Sequence, residues 1–112
     1  KIGKTHPIFI IAEGGDNHMG SLVDAIEMCT QAKLAGASAI KFQHHLPDEE
    51  MLKIVPKSSN FKMSLYDFLK KYSLKLSDHV ELKKFCKKNY LKSGSYISPR
   101  IKYLINTFDL CK

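Results

Sequence analysis

Five consecutive apolar residues, Ile8-Phe9-Ile10-Ile11-Ala12, stand between Pro7 and the pair Gly14-Gly15. An unbroken apolar run of this length, closed at both ends by turn residues, predicts a strand buried on both faces, as in a parallel sheet covered by helices. Phe9 and Ile11 are therefore expected in the core. A polar, glycine-rich loop follows from Gly14 to Gly20. Ser21-Leu22-Val23-Asp24 then has capping-box spacing, with Ser21 capping a helix and Asp24 reaching back. Leu22, Ala25, Ile26, Cys29 and Ala32 recur at helical spacing, and Gly36 is placed to end that helix. Ala39-Ile40-Lys41-Phe42-Gln43 alternates in character and predicts a second strand with Ile40 and Phe42 turned inward. Strand, loop, helix, glycine and strand in this order make a βαβ unit.

The middle of the chain is less periodic. Pro47, Pro56 and the Ser58-Ser59-Asn60 cluster mark an excursion from His44 to Lys62, with a helical turn expected over Asp48 to Lys53. Ser64-Leu65-Tyr66-Asp67 repeats the capping-box pattern and predicts a short helix to about Tyr72. Ser77 is expected to start another, with Val80, Leu82, Phe85 and Cys86 on its apolar side and Asn89 near its end. Tyr96-Ile97-Ser98 predicts a third strand ended by Pro99, and Ile101 to Phe108 a last helix. The rhythm of strand then helix, three times over, is α/β, either a barrel or an open doubly wound sheet.

Composition narrows the classes. A chain of 112 residues has room for one small domain. The formal charge of +7 raises the question of nucleic acid. The lysines, however, run from Lys1 to Lys112, and the densest group (Lys83, Lys84, Lys87, Lys88) lies away from Leu82, Phe85 and Cys86 on one predicted helix. They read as a solvated helix face, so no nucleic-acid partner is expected. No run of 18 apolar residues is present, so no membrane association is expected. The cysteines, Cys29, Cys86 and Cys111, are odd in number and widely spaced, which disfavours a disulfide framework and makes a reducing cytoplasm the expected compartment.

Candidate chemistry gathers at the strand ends. Glu13 closes the first predicted strand, and Lys41 and Gln43 close the second. Neighbouring parallel strands lie about 4.8 Å apart, so Glu13 and Lys41 can meet at one end of the sheet. Open α/β folds and barrels bind their ligands at the carboxyl ends of strands. A lysine there suits a phosphate or carboxylate, and a carboxylate beside it can handle a hydroxyl or a proton. A purely structural Glu–Lys ion pair fits the spacing equally well. The loop Gly14-Gly15-Asp16-Asn17-His18-Met19-Gly20 has neither a dinucleotide fingerprint nor the Lys-Ser/Thr of a P-loop. His18 suits either acid–base work or a loop hydrogen bond. His44-His45 would point to opposite faces of a strand, which argues against one shared metal ion and for a surface or substrate-rim role. Asp48-Glu49-Glu50 reads as the acidic start of a helix.

Two stretches together carry a family resemblance. Phe9-Ile10-Ile11-Ala12-Glu13-Gly14-Gly15-Asp16-Asn17-His18-Met19-Gly20, followed by Ala35-Gly36-Ala37-Ser38-Ala39-Ile40-Lys41-Phe42-Gln43, resembles the N-terminal part of the N-acetylneuraminate (sialic acid) synthases, including the legionaminate and pseudaminate synthases and spore-coat polysaccharide relatives. Ser64 to Leu69 and Leu76 through Cys86 follow the same family's helical pattern. The resemblance implies a partial (β/α)8 TIM barrel, about its first three βα units, with residues 1–112 an N-terminal fragment of the barrel domain. It implies condensation of phosphoenolpyruvate with N-acetylmannosamine or a related N-acetylated amino sugar, releasing phosphate. It assigns Glu13 as catalytic at the amino-sugar site, Lys41 to phosphoenolpyruvate, and Gln43, Asn17 and His18 to substrate binding. It also implies a divalent metal, manganese or magnesium, whose ligands lie on later strands and have no counterpart here, and a homodimer for the full-length enzyme. Two departures stand out: Gly14 occupies a usually apolar position, and Tyr90 to Ser95 carries extra residues before the third strand. The second reading is a non-catalytic α/β binding module or relic that associates with a partner.

Overall fold

The computed structural model describes residues 3–54, 57, 59 and 62–89, together with the backbone of a strand at 92–97. The elements run β1 (Ile11–Gly15), α1 (Leu22–Leu34), β2 (Ala39–His44), α2 (Pro47–Glu50), α3 (Leu65–Tyr72), α4 (Leu76–Lys88) and β3 (Lys92–Ile97). The three strands form a parallel sheet in the order β1-β2-β3. Helices α1 and α4 pack against each other, α1 also touching β1 and β2 and α4 touching β3.

Helix α1 forms where the apolar spacing predicts. Ser21 sits in an extended conformation and its hydroxyl accepts the Asp24 N–H. The reciprocal half of the expected capping box is replaced: the Ser21 N–H goes to the His18 carbonyl at 2.9 Å. The loop thus supplies the acceptor that Asp24 was expected to supply. Gly36, at φ +82°, turns the chain out of the helix. In α3, Ser64 caps through Asp67 as expected. Helix α4 starts one residue before Ser77, because the Asp78 carboxylate accepts the Lys75 N–H at 3.1 Å. Val80 is not on the buried side of α4; it is 46% exposed, and Leu82 and Cys86 take the contact with the core. The four lysines of that helix are all exposed, as a solvated face should be.

The core consists of Ala25, Cys29, Ala32, Ile40, Phe42, Leu74, Leu82 and Cys86, with Ala12, Leu22, Ile26 and Phe85 packed at its margin. Full burial of a Leu, Ile or Phe side chain contributes about 1.5–3 kcal/mol each, so Ile40, Phe42, Leu74 and Leu82 anchor the helices to one face of the sheet. Two of the three cysteines meet inside it, with the Cys86 thiol 3.6 Å from Cys29 Sγ. That is a thiol contact and not a disulfide, whose S–S bond is about 2.05 Å.

Burial of the first apolar run on both faces is overturned. Ile11 is 57% exposed, Ile8 and Ile10 are exposed as well, Phe9 is only partly buried, and β1 begins at Ile11 rather than Ile8. The register explains the exposure of Ile11, while Ile8 to Ile10 lie before the strand begins. Ile11 pairs with Ala39 and Glu13 with Lys41, while Ala12 pairs with Ile40 on the helix-covered side. Successive side chains alternate across a strand, so Ile11, Glu13, Ala39 and Lys41 share the face that α1 and α4 do not cover. The third strand also differs from expectation. It runs over Lys92–Ile97, and pairing with β2 from Ala39↔Lys92 to His44↔Ile97 draws Ser93, Gly94 and Ser95 into the ladder. Their intrinsic strand preference is low, so backbone pairing outweighs propensity there. Ser98-Pro99, the expected last helix and Cys111 lie outside the described residues.

Candidate active site at the carboxyl ends of the strands

The open face of the sheet carries the polar groups. Glu13 and Lys41 are direct register partners, and the Lys41 ammonium forms an ion pair with Glu13 Oε2. The other carboxylate oxygen, Oε1, accepts the Gly15 N–H at 3.0 Å. A bulge after Glu13 makes that bond possible, because the register slips so that Gly15, not Gly14, pairs with Phe42. The bulge requires glycine. A Cβ on Gly14 would stand 2.6 Å from Phe42 Cε1, and Gly15 has φ +52°. Gly14, at a usually apolar position of the family it resembles, is buried against the core. About half of the Glu13 side chain and 41% of the Lys41 side chain remain open to solvent, so the pair can be reached by a ligand. Gln43 follows Lys41 on the same face of β2, one pleat nearer the carboxyl end.

The loop residues divide differently from expectation. Asn17 is exposed, but its side-chain amide donates to the Gly14 carbonyl at 3.0 Å and so braces the bulge. His18 makes the loop hydrogen bond that was one of its two readings, and it lies in the interior. It is 0% exposed, its Nδ1 accepts the Gly20 N–H at 3.0 Å, and its ring lies 5.7 Å from that of Phe42. A short polar loop that must turn into α1 closes on its own histidine, and the ring fills the space over Phe42. In this arrangement His18 shapes the loop and touches no surface.

His45 was the residue that pattern reading undervalued. It follows β2 directly, and its Nδ1 lies 2.9 Å from Glu50 Oε2. Its Nε2 lies 3.2 Å from both Asp16 Oδ2 and Gln43 Oε1. The bond to Asp16 and then that to Glu50 hold its pKa up at about 9 against the opposing effect of burial. His45 is therefore an imidazolium at neutral pH, donating from both nitrogens. Glu50 also accepts the Leu46 N–H at 2.8 Å. Its place four residues after Leu46, at the start of a helix, was the one available signal for a carboxylate folding back. Nothing in the sequence marks Asp16. The acidic residues do start a helix, α2, as expected, and Asp48 turns to α3, accepting from Tyr66 Oη at 2.5 Å and Lys70 Nζ at 3.2 Å.

His44 and His45 point apart, as alternation requires. The His44 ring meets that of His79 edge-on at a centroid distance of 4.7 Å. Burial, reinforced by the neighbouring His44, pushes His79 down to about 4, and burial lowers His44 and His18 as well. Two opposed pH effects follow. His79 is kept neutral by the fold; its contribution is complete above the unfolded value of 6.5 and is lost as pH falls through 6.5 toward 4. His45 is kept charged; its contribution is complete below 6.5 and is lost as pH rises through about 9. Each is worth about 3 kcal/mol. The melting temperature of the chain, followed by circular dichroism, is therefore highest near pH 6.5 and falls on both sides. A flat profile between pH 4.5 and 6.5 contradicts the acid limb, and one between 7 and 9.5 the alkaline limb.

Among the described residues no group of three or more His, Cys, Asp or Glu could hold a metal ion. Glu13 is engaged by Lys41, and His45 donates from both ring nitrogens, so neither offers a free ligand. The described residues do not fit a divalent-metal site. No helix among them is long and apolar enough to cross a membrane.

Comparison with known proteins connects this chain to a family. The sequence model of the NeuB family matches residues 28–106. Pseudaminic acid synthase of Campylobacter jejuni is 43% identical over 67 residues, covering 60% of this chain and 20% of that protein. N,N'-diacetyllegionaminic acid synthase of Legionella pneumophila is 38% identical over 86 residues, covering 71% of this chain and 24% of that protein. The crystal structure of N-acetylneuraminic acid (sialic acid) synthetase from Leptospira borgpetersenii, in complex with citrate, superposes with a TM-score of 0.70 at 26% identity, covering 87% of this chain and 33% of that one. The chain thus spans about a fifth to a quarter of the length of these curated relatives. Parallel strands in sequential order, a rim of charged groups at their carboxyl ends, and a family match over most of the chain lead to one conclusion: the chain belongs to the NeuB family.

Proposed function

We propose that this chain forms the first βα units of a (β/α)8 barrel in a sialic acid synthase-like enzyme. The complete enzyme would condense phosphoenolpyruvate with N-acetylmannosamine or a related N-acetylated amino sugar and release phosphate. The observation that carries this reading is the Glu13–Lys41 pair, register partners on the open face of a parallel sheet, in a family whose named relatives are sugar-acid synthases. The sequential strand order β1-β2-β3 supports a barrel over a doubly wound sheet, in which the order reverses.

The division of labour follows charge. The methylene carbon of phosphoenolpyruvate attacks the aldehyde carbon of the sugar, whose oxygen takes up a proton to become a hydroxyl. Water adds at the neighbouring, phosphate-bearing carbon and gives up a proton, and phosphate leaves from that carbon. Lys41 suits the phosphate or carboxylate of phosphoenolpyruvate, since an ammonium keeps three donors of which Glu13 needs one. Glu13 suits a sugar hydroxyl, or a proton in transit, with its orientation held by the Gly15 N–H. Gln43 offers an amide to the sugar. Asn17 reaches the rim through the loop it braces; His18 supports that loop from inside. A divalent metal would polarise the aldehyde, and its ligands would come from outside the residues described here. A compartment in the cytoplasm and a homodimer of the complete enzyme accompany this reading.

The test uses the complete enzyme that carries this segment, incubated with phosphoenolpyruvate, manganese and N-acetylmannosamine or the diacetamido sugars of the legionaminate and pseudaminate branches. Phosphate is released only when both substrates are present, and Glu13→Gln lowers kcat at least a hundredfold. Full activity of Glu13→Gln removes Glu13 from the catalytic role. No turnover with any of these sugars favours the second reading, a binding module.

A further inference from the structure

Gln43 projects from the open face of β2 with a side chain that a substrate could meet in either of two orientations, oxygen outward or nitrogen outward. His45 decides between them. Its Nε2 lies 3.2 Å from Gln43 Oε1 and 3.2 Å from Asp16 Oδ2, and its Nδ1 lies 2.9 Å from Glu50 Oε2. The two carboxylates come from different elements, Asp16 from the loop after β1 and Glu50 from α2. Both are largely buried, with side chains 17% and 10% exposed. An imidazole between two such carboxylates carries both protons, and each nitrogen is then a donor only.

We propose that His45 is a positioning residue which, clamped between Asp16 and Glu50, binds Gln43 Oε1 and so presents the Gln43 amide NH2 to the amino-sugar substrate. This inference rests on the synthase reading above and specifies how its sugar site is set. The single Nε2–H is shared between Asp16 Oδ2 and Gln43 Oε1, and a flipped amide would set its own N–H donors against it. The clamp disfavours that state, and Gln43 Nε2 makes no hydrogen bond to the described residues. The site therefore asks its ligand for an acceptor oxygen at this point, such as an acetamido carbonyl or a hydroxyl oxygen. The same clamp ties the Glu13 side of the rim to the Gln43 side, because Asp16 belongs to the loop that the Glu13 bulge opens.

The groups facing His45 are Asp16, Glu50 and Gln43, with His44 as its chain neighbour. Loss of its proton turns one ring nitrogen into an acceptor and lets the Gln43 amide flip. Above the pH at which His45 titrates, about 9, the sugar should bind less well.

The test is a double-mutant cycle with a pH profile in the complete enzyme. His45→Ala should raise KM for the amino sugar about tenfold while leaving the calorimetric affinity for phosphoenolpyruvate unchanged. Gln43→Ala should do the same, and the double variant should be no worse than Gln43→Ala alone, since one acts through the other. The alkaline rise of the sugar KM near pH 9, present in the parent enzyme, should be absent from His45→Ala. Additive effects, or an equal loss of phosphoenolpyruvate affinity, would show a general structural role and overturn the proposal. If the parent enzyme turns over none of the sugars, the synthase reading fails by itself. The clamp is then read from 15N-histidine spectra of the same protein at pH 7, where a His45 ring with one unprotonated nitrogen refutes it.

Discussion

The 112-residue chain, incubated with phosphoenolpyruvate, N-acetylmannosamine and manganese, is expected to release no phosphate above background. The reason lies in the geometry of the rim. Glu13 and Lys41 are paired, but they stand on a sheet face that α1 and α4 leave uncovered, and both side chains are about half open to water. A bimolecular condensation needs the enol carbon and the aldehyde carbon held at near-attack distance, an arrangement worth about 7–11 kcal/mol of barrier. Two or three groups on one side of a reactant fix it poorly, and water at the open side screens their charge. The chain also spans only about a quarter of the length of its relatives. The assay is phosphate release by purified residues 1–112, in a preparation shown free of host enzyme. Turnover close to that of a full-length relative would mean that the rim described here is sufficient, and that the barrel reading asks for more structure than the chemistry needs.

In the complete enzyme, Lys41→Ala is expected to weaken phosphoenolpyruvate binding about 10–100-fold. A charge-assisted hydrogen bond contributes about 1.5–3 kcal/mol, and each 1.4 kcal/mol is about tenfold in affinity. The substitution also leaves Glu13 without its cation, so a second negative charge faces the incoming anion and the upper part of the range applies. Lys41→Arg should recover part of the loss because it restores the charge, though its planar fork cannot copy the ammonium geometry against Glu13. Calorimetric titration with phosphoenolpyruvate alone reads this without any sugar chemistry. An unchanged affinity would return Lys41 and Glu13 to a structural ion pair.

The sheet face shows how a sequence reading can find residues and misjudge their surroundings. Ile8 to Ile11 are as apolar as a doubly buried strand requires, yet hydrophobicity reports what a position would tolerate and not what is packed against it. Only the register, Ile11 against Ala39 and Ala12 against Ile40, reveals that one face meets helices and the other does not. His18 takes the loop hydrogen bond that was one of its two readings. Its polar, glycine-rich setting gave no sign of burial, but a loop returning sharply into α1 brings the ring over Phe42 and closes it from solvent.

Some features needed nothing beyond the chain itself. Ser21, Ser64 and Gly36 marked helix ends because capping depends on atoms within a few residues. Alternation along β2 put Ile40 and Phe42 on one side and Lys41 and Gln43 on the other, since the period of two belongs to the extended backbone. The meeting of Glu13 and Lys41 was legible too, because parallel strands in one βαβ unit bring their carboxyl ends together. What required the tertiary structure was every contact that depends on where separate elements finally lie. Asp16 and Glu50 are 34 positions apart and carry no shared pattern, yet both reach His45. His44 meets His79 from a strand and a helix that only packing brings together. Short-range bonding and periodicity are written along one strand or helix. The charge state of a histidine is set by whichever carboxylates and apolar walls converge on it, and that convergence exists only once the chain has folded.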